Sequence, residues 1–123
     1  MRITYIDGTA RGPQGKEENV SFLVDSGATY SLLPAPVWES VGLVATREQS
    51  FTLADGTTIR RNISECFLVL SQGETHTPVI LGEPGDEALL GVVTLEELGL
   101  VFNPFSRTLQ PNADDAGLTV WRS

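Results

Sequence analysis

Apolar residues recur along the chain in short alternating stretches broken by glycine, proline, asparagine and aspartate, a spacing that predicts an all-β domain with two short helical segments. Met1 to Ala10 can form a first strand. Arg11-Gly12-Pro13-Gln14-Gly15-Lys16 then reads as a turn, since its proline and glycines would interrupt a ladder. From Asn19 the alternation is regular, with Val20, Phe22 and Val24 on one face and Ser21, Leu23 and Asp25 on the other. That strand ends in a carboxylate. Pro34 and Pro36 mark a break before a short helix, Val37 to Val41, that Gly42 is suited to end. Residues 51–63 have the form of a hairpin around Asp55-Gly56, a pair that tolerates the positive φ angles of a tight primed turn. Glu65 to Ser71 and Val79 to Leu81 read as further strands.

Beyond an acidic loop at residues 83–87, Ala88 to Val93 is apolar enough for the end of a fully buried strand. Thr94 and Glu97 have the spacing of a capping box, which starts a second helix at Thr94 and lets Gly99 end it. Leu100 to Phe102 reads as a closing strand, Arg107 to Leu109 as a short addition, Pro111 to Gly117 as a linker, and Leu118 to Trp121 as a segment able to pair. There is an internal echo. Leu23-Val24-Asp25-Ser26-Gly27 leads to a helix ending Val41-Gly42-Leu43, and Ala88-Leu89-Leu90-Gly91 leads to one ending Leu98-Gly99-Leu100. Two related halves of one β-domain would show such a repeat.

Composition narrows the function. A chain of 123 residues supports one core and leaves no room for separate cofactor and substrate lobes. Sixteen acidic residues against eight basic ones give a net charge of −8, which repels phosphate, so neither nucleic acid nor an anionic membrane is an expected partner. No apolar run approaches the roughly 20 residues of a membrane-spanning helix. The first residues lack the apolar stretch of a signal peptide, and the expected location is cytoplasmic. Cys66, the single cysteine, reads as a small buried hydrophobe, and the lone His76 as a solvated turn residue. One of each does not make a zinc site, so no metal or cofactor is expected. Trp38 and Trp121 read as packing residues, with an interface anchor the alternative for Trp121, and Arg60-Arg61 as a solvated strand face, with substrate contact the lesser reading.

The stretch Phe22-Leu23-Val24-Asp25-Ser26-Gly27-Ala28-Thr29 carries the chemistry. A carboxylate directly after an apolar strand is costly unless hydrogen bonds offset its desolvation. Ser26 offers a hydroxyl, and Gly27 a backbone free to turn its N–H toward Asp25. These residues resemble the active-site loop of the retropepsin-like aspartic peptidases, which reads apolar-apolar-Asp-[Thr/Ser]-Gly-[Ala/Ser]. The likeness runs over about residues 18–110, because a hairpin carrying Asp55-Gly56 and then Leu89-Leu90-Gly91 leading into a helix follow in the family's order.

The resemblance implies a small closed β-barrel with a flap hairpin and one or two short helices, over residues 1–110, with 111–123 as a tail able to add a strand to a dimer interface. It implies Asp25 as the catalytic carboxylate, supported by Ser26, Gly27, Ala28 and Thr29. Residues 51–62, with Leu53, Ala54, Asp55, Gly56 and Thr57 as its named members, would form the flap covering the cleft, and Leu89, Leu90 and Gly91 the apolar-apolar-Gly part of the ψ-shaped loop behind the site. Ile80-Leu81-Gly82 fits that last pattern equally; the later copy is preferred because a helix follows it. Val92 and Val93 stand where retroviral members commonly carry Arg and Asn. The mechanism needs two carboxylates and the chain offers one suited to the role, so the resemblance implies a homodimeric endopeptidase acting on an extended polypeptide, with Asp25 of each subunit meeting on the twofold axis. Ser26 would hydrogen-bond across to the partner's loop. Ala28, lacking a hydroxyl, implies a pH optimum nearer neutrality than serine would give. The alternative is a retropepsin-fold binding or dimerisation module that does not cleave. A serine hydrolase using Ser26 and His76 is disfavoured, since nothing pairs them and no nucleophile-elbow pattern is present.

Overall fold

The alternation from Asn19 becomes a strand whose inward residues, Val20 and Phe22, are 7% and 0% exposed, while Ser21 between them faces out. The computed structural model describes residues 4–111. Its elements are β1 (Tyr5–Arg11), β2 (Glu17–Val24), β3 (Ser31–Leu33), α1 (Ala35–Val41), β4 (Arg47–Thr52), β5 (Thr58–Leu70), β6 (Gly73–Leu81), β7 (Leu89–Leu90), α2 (Val92–Glu97), β8 (Leu100–Asn103) and β9 (Thr108–Pro111). Residues 112–123, including most of the expected linker and the Leu118 to Trp121 segment, lie outside the described residues, as do residues 1–3 of the expected first strand.

One sheet runs β1-β2-β7-β3-β6-β5-β4, and a further pairing of β1 with β5 closes it into a ring, leaving β4 outside. The fold is therefore the small closed barrel expected. β8 and β9 form a separate two-stranded sheet. Phe22, Leu33, Leu68, Leu90 and Val79 fill the interior at 0% exposure, each burial contributing about 1.5–3 kcal/mol. Trp38 of α1 packs against this core and donates from Nε1 to the Gly82 carbonyl at 2.8 Å, fastening the helix to the end of β6.

β5 is one strand of 13 residues where the sequence pattern suggested two. Its first part, residues 58–63, pairs with β4 as a projecting hairpin, and from Ile63 onward it pairs with β6. Ile63 and Ser64 are both buried, so the alternation slips by one position where the strand passes from hairpin to barrel. That slip makes one strand look like two.

Several local expectations change. Helix α1 begins at Ala35, not Val37, with Pro34 as its N-cap and Pro36 inside its first turn, where a missing N–H costs nothing. Ala88 to Val93 is not a single strand end: only Leu89 and Leu90 are extended, and Val92 and Val93 already belong to α2. The capping box does not form. Gly91 is the N-cap, no side chain caps the helix, and Thr94 lies inside α2. His76 is no turn residue but an exposed position in β6, its ring 4.8 Å from that of Phe67. Pro111 belongs to β9 and not to a linker.

Candidate active site

Asp25 follows the last residue of β2, where the backbone leaves the sheet. Its N–H donates to the Leu90 carbonyl at 3.1 Å, which fixes the carboxylate-bearing residue to β7. Its side-chain Oδ1 accepts the Gly27 N–H at 2.9 Å, and its carbonyl accepts the Ala28 N–H at 3.1 Å. The turn thus supplies the hydrogen bonds that a carboxylate at a strand end requires. Ser26 and Thr29 are exposed, and Ala28 is half-buried.

The segment Leu89-Leu90-Gly91 threads behind this turn. β7 pairs in parallel with β2, Leu23 opposite Leu89 and Val24 opposite Leu90, and antiparallel with β3 through Leu32. The two apolar stretches of the sequence echo therefore lie side by side. The Val92 and Val93 N–H groups then donate to the Ala28 and Thr29 carbonyls, both at 2.9 Å. Gly91 is buried so closely that an added Cβ would sit 2.5 Å from the carbonyl carbon and oxygen of Tyr30. Ile80-Leu81-Gly82 lies instead at the end of β6, against β3, with the Gly82 N–H donating to Leu33.

Thr94 has a role that its sequence context hides. Its Oγ1 lies 2.6 Å from Ser31 Oγ and 2.8 Å from Thr77 Oγ1, and the Gly91 N–H donates to Ser31 Oγ at 3.0 Å. All three hydroxyl residues are fully buried. They join β3, β6 and α2 directly behind the turn, and each is satisfied by the others, as buried polar groups must be.

Over this floor stands the β4–β5 hairpin. The Leu53 N–H donates to Thr57 at 2.7 Å, the Gly56 N–H to Leu53 at 2.9 Å, and the Thr57 N–H to Asp55 Oδ1 at 2.8 Å. Gly56 has φ of 88°, whereas Asp55 does not have positive φ. The connection is therefore a three-residue loop with one left-handed glycine, and not the two-residue primed turn expected from Asp55-Gly56. The hydrogen bonds from Thr57 hold the Asp55 carboxyl below its ordinary range.

A cleft of about 490 Å³ lies between floor and hairpin. Gly27, Ala28 and Thr29 line it, as do Leu53 of the expected flap and Leu89 of the loop behind. Asp25, two residues before Gly27 in the same turn, is outside the lining, and Ala54 to Thr57 are exposed at the tip, also outside it. Phe51, Ile59 and Arg61, within the expected flap of residues 51–62, also line the cleft. Sequence reasoning missed Leu32, Ile80, Asp86 and Glu87 in that lining, and nothing local marked them. Tyr30 meets Phe51 edge-on, with ring centroids 6.1 Å apart, so one aromatic pair links floor to roof. Glu87 accepts a hydrogen bond from the Tyr5 hydroxyl at 2.9 Å, and this bond, with Glu87's charge, raises the pKa of the phenol. A larger hollow of about 680 Å³ lies across β1, β2 and β5, away from the Asp25 turn.

The geometry is matched by known proteins. Similar structures include the solution structure of the Simian Foamy Virus (mac) protease, at 16% identity and a TM-score of 0.55 over 76% of this chain and 93% of that one. A second is the crystal structure of the Prototype Foamy Virus protease–reverse transcriptase, at 15% identity and a TM-score of 0.55 over 90% of this chain and 12% of that one. No curated protein sequence matches the chain. A family model described as aspartyl protease matches residues 6–93, and by this match over more than half its length the chain belongs to the aspartyl protease family.

Proposed function

We propose that the protein is a homodimeric aspartic endopeptidase in which two Asp25 carboxylates, one from each subunit, share a proton and activate a water. One ionised Asp25 takes a proton from the water as its oxygen attacks the scissile carbonyl carbon, and the other, protonated, donates to the carbonyl oxygen. The tetrahedral diol then collapses: one hydroxyl gives its proton to the Asp25 left ionised, the C–N bond breaks, and the leaving nitrogen takes the proton held by the other Asp25, which restores the singly protonated pair. Ser26 bonds across to the partner's loop, and Gly27 keeps the approach to the carboxylate open. Leu53, Ala54, Asp55, Gly56 and Thr57 close over an extended peptide held by main-chain hydrogen bonds. Residues 1–110 form the catalytic unit.

The observation that carries this reading is the Asp25 turn: a carboxylate at a strand end, hydrogen-bonded by Gly27 and fastened to Leu90, in a turn whose Gly27, Ala28 and Thr29 line a cleft roofed by a hairpin. One such turn per chain supports a dimer, because a lone carboxylate lacks the partner acid. Asp25→Asn should lower cleavage of an unfolded protein substrate about 10³-fold or more, with the circular dichroism unchanged. Activity per chain should also rise with protein concentration as subunits associate. Cleavage that survives Asp25→Asn would overturn the assignment, and a one-chain solution mass at every concentration would favour the non-cleaving binding module.

A further inference from the structure

The cleft is apolar on most of its wall, with Leu32, Phe51, Ile59, Ile80 and Leu89, and the charged residues Arg61, Asp86 and Glu87 also line it. The three charges are not equivalent. Arg61 has a carboxylate nearby, with Nη2 3.7 Å from Glu83 Oε1, and donates from Nη1 to the Arg60 carbonyl. Glu87 has only the neutral Tyr5 hydroxyl, bonded to Oε2, and its Oε1 has no hydrogen-bond partner among the described residues. The neighbouring Asp86 spends Oδ2 on the Glu83 N–H at 2.7 Å, closing its own loop. One uncompensated, oriented carboxylate thus borders an apolar wall in a chain of net charge −8.

A side chain that satisfies both features has a long apolar stem and a cationic head. Lysine and arginine lay their methylenes along apolar surface while the head seeks an acceptor. A leucine or phenylalanine would fill the wall but gain nothing from the exposed Glu87 carboxylate, and an acidic side chain would meet like charge. We propose that this cleft selects peptides with a lysine or arginine beside an apolar residue, its cationic head bound by Glu87 and its stem lying against Leu89 and Ile80. Tyr5 is a positioning residue: its hydroxyl holds Glu87 in place and contacts no substrate. This inference deepens the peptidase reading and rests on it for the cleavage measurement, but not for the binding measurement.

The test uses fluorogenic peptides with an apolar core in which each position in turn is lysine, norleucine or glutamate. Norleucine keeps the stem and removes the charge. At one position lysine should exceed norleucine in kcat/KM by about 10-fold, with glutamate cleaved more slowly than either. Glu87→Gln should bring the lysine-to-norleucine ratio close to one, Glu87→Lys should reverse the order of lysine and glutamate, and Tyr5→Phe should narrow the lysine preference without abolishing it. The same labelled peptides titrated onto Asp25→Asn protein should show the same order in Kd. A wild type without lysine preference at any position, or a preference that survives Glu87→Gln, overturns the inference while leaving the peptidase reading intact. No cleavage by wild type with the Kd order retained overturns the peptidase reading and leaves the selective cleft; no peptide binding at all overturns the inference.

Discussion

The floor of the cleft and its roof are built on opposite terms. Behind Asp25, the backbone of residues 89–93 is bonded to β2, β3 and the Asp25 turn, Gly91 has no space for a methyl group, and three buried hydroxyls satisfy one another. The hairpin above has residues 52–58 all exposed, and an added Cβ on Gly56 would meet nothing within 4 Å. Its tip rests on its own ladder and turn bonds. The contrast suits the proposed chemistry, which needs reacting groups held to fractions of an ångström and a cover that can admit a chain. It also predicts that equal chemical changes will have unequal effects in the two regions.

The largest effect belongs to the floor. Gly91→Ala places a methyl group against the Tyr30 carbonyl, and should cost about 3 kcal/mol, read from the urea midpoint. Next comes Thr94→Val, which keeps the shape of the side chain but leaves Ser31 and Thr77 without their shared partner. It should cost about 2 kcal/mol, with Thr94→Ser recovering most of it. The same kind of change as at Gly91, made in the roof, should cost less: Gly56→Ala adds only backbone strain at a φ of 88°, about 1 kcal/mol. A cost at Gly56 equal to that at Gly91 would erase the distinction.

The smallest effect sharpens the comparison along one strand. Cys66 lies in the barrel half of β5, and burial pushes its thiol up from 9.0 to about 11. The folded state thus favours the protonated thiol. Its contribution is fully present below pH 9 and is lost as pH rises toward 11, with no change near neutrality. Iodoacetamide at pH 8 should label Cys66 slowly in the native protein and rapidly in urea; rapid native labelling would show that the barrel half opens as readily as the hairpin.

Most of the floor was legible because its signals are local. The alternation of Val20 and Phe22 located the strand that ends at Asp25, and the helix after Gly91 separated Leu89-Leu90-Gly91 from the rival Ile80-Leu81-Gly82. What failed depended on distance. Thr94 has the spacing of a cap, but its hydroxyl partners are 63 and 17 residues away, and buried partners override a local preference. The continuity of β5 was hidden by the doubled burial at Ile63 and Ser64, which a single-face pattern cannot represent. Glu87 reaches the cleft from the loop between β6 and β7, far in sequence from the Asp25 turn, and stands in no motif.

That closure has a further effect on how the molecule behaves in company. A sheet joined to itself, as β1 joins β5, leaves fewer bare edges for a foreign strand, and where a barrel strand is paired on one side only, at residues 17–22 of β2 and 73–78 of β6, the edge carries Glu17, Glu18 and Glu74. The outer side of β4 is a further edge and carries Arg47 and Glu48, charges that make it a poor template for stacking. A crowded solution of this chain should stay free of amyloid-like aggregates even though more than half of its described backbone is extended.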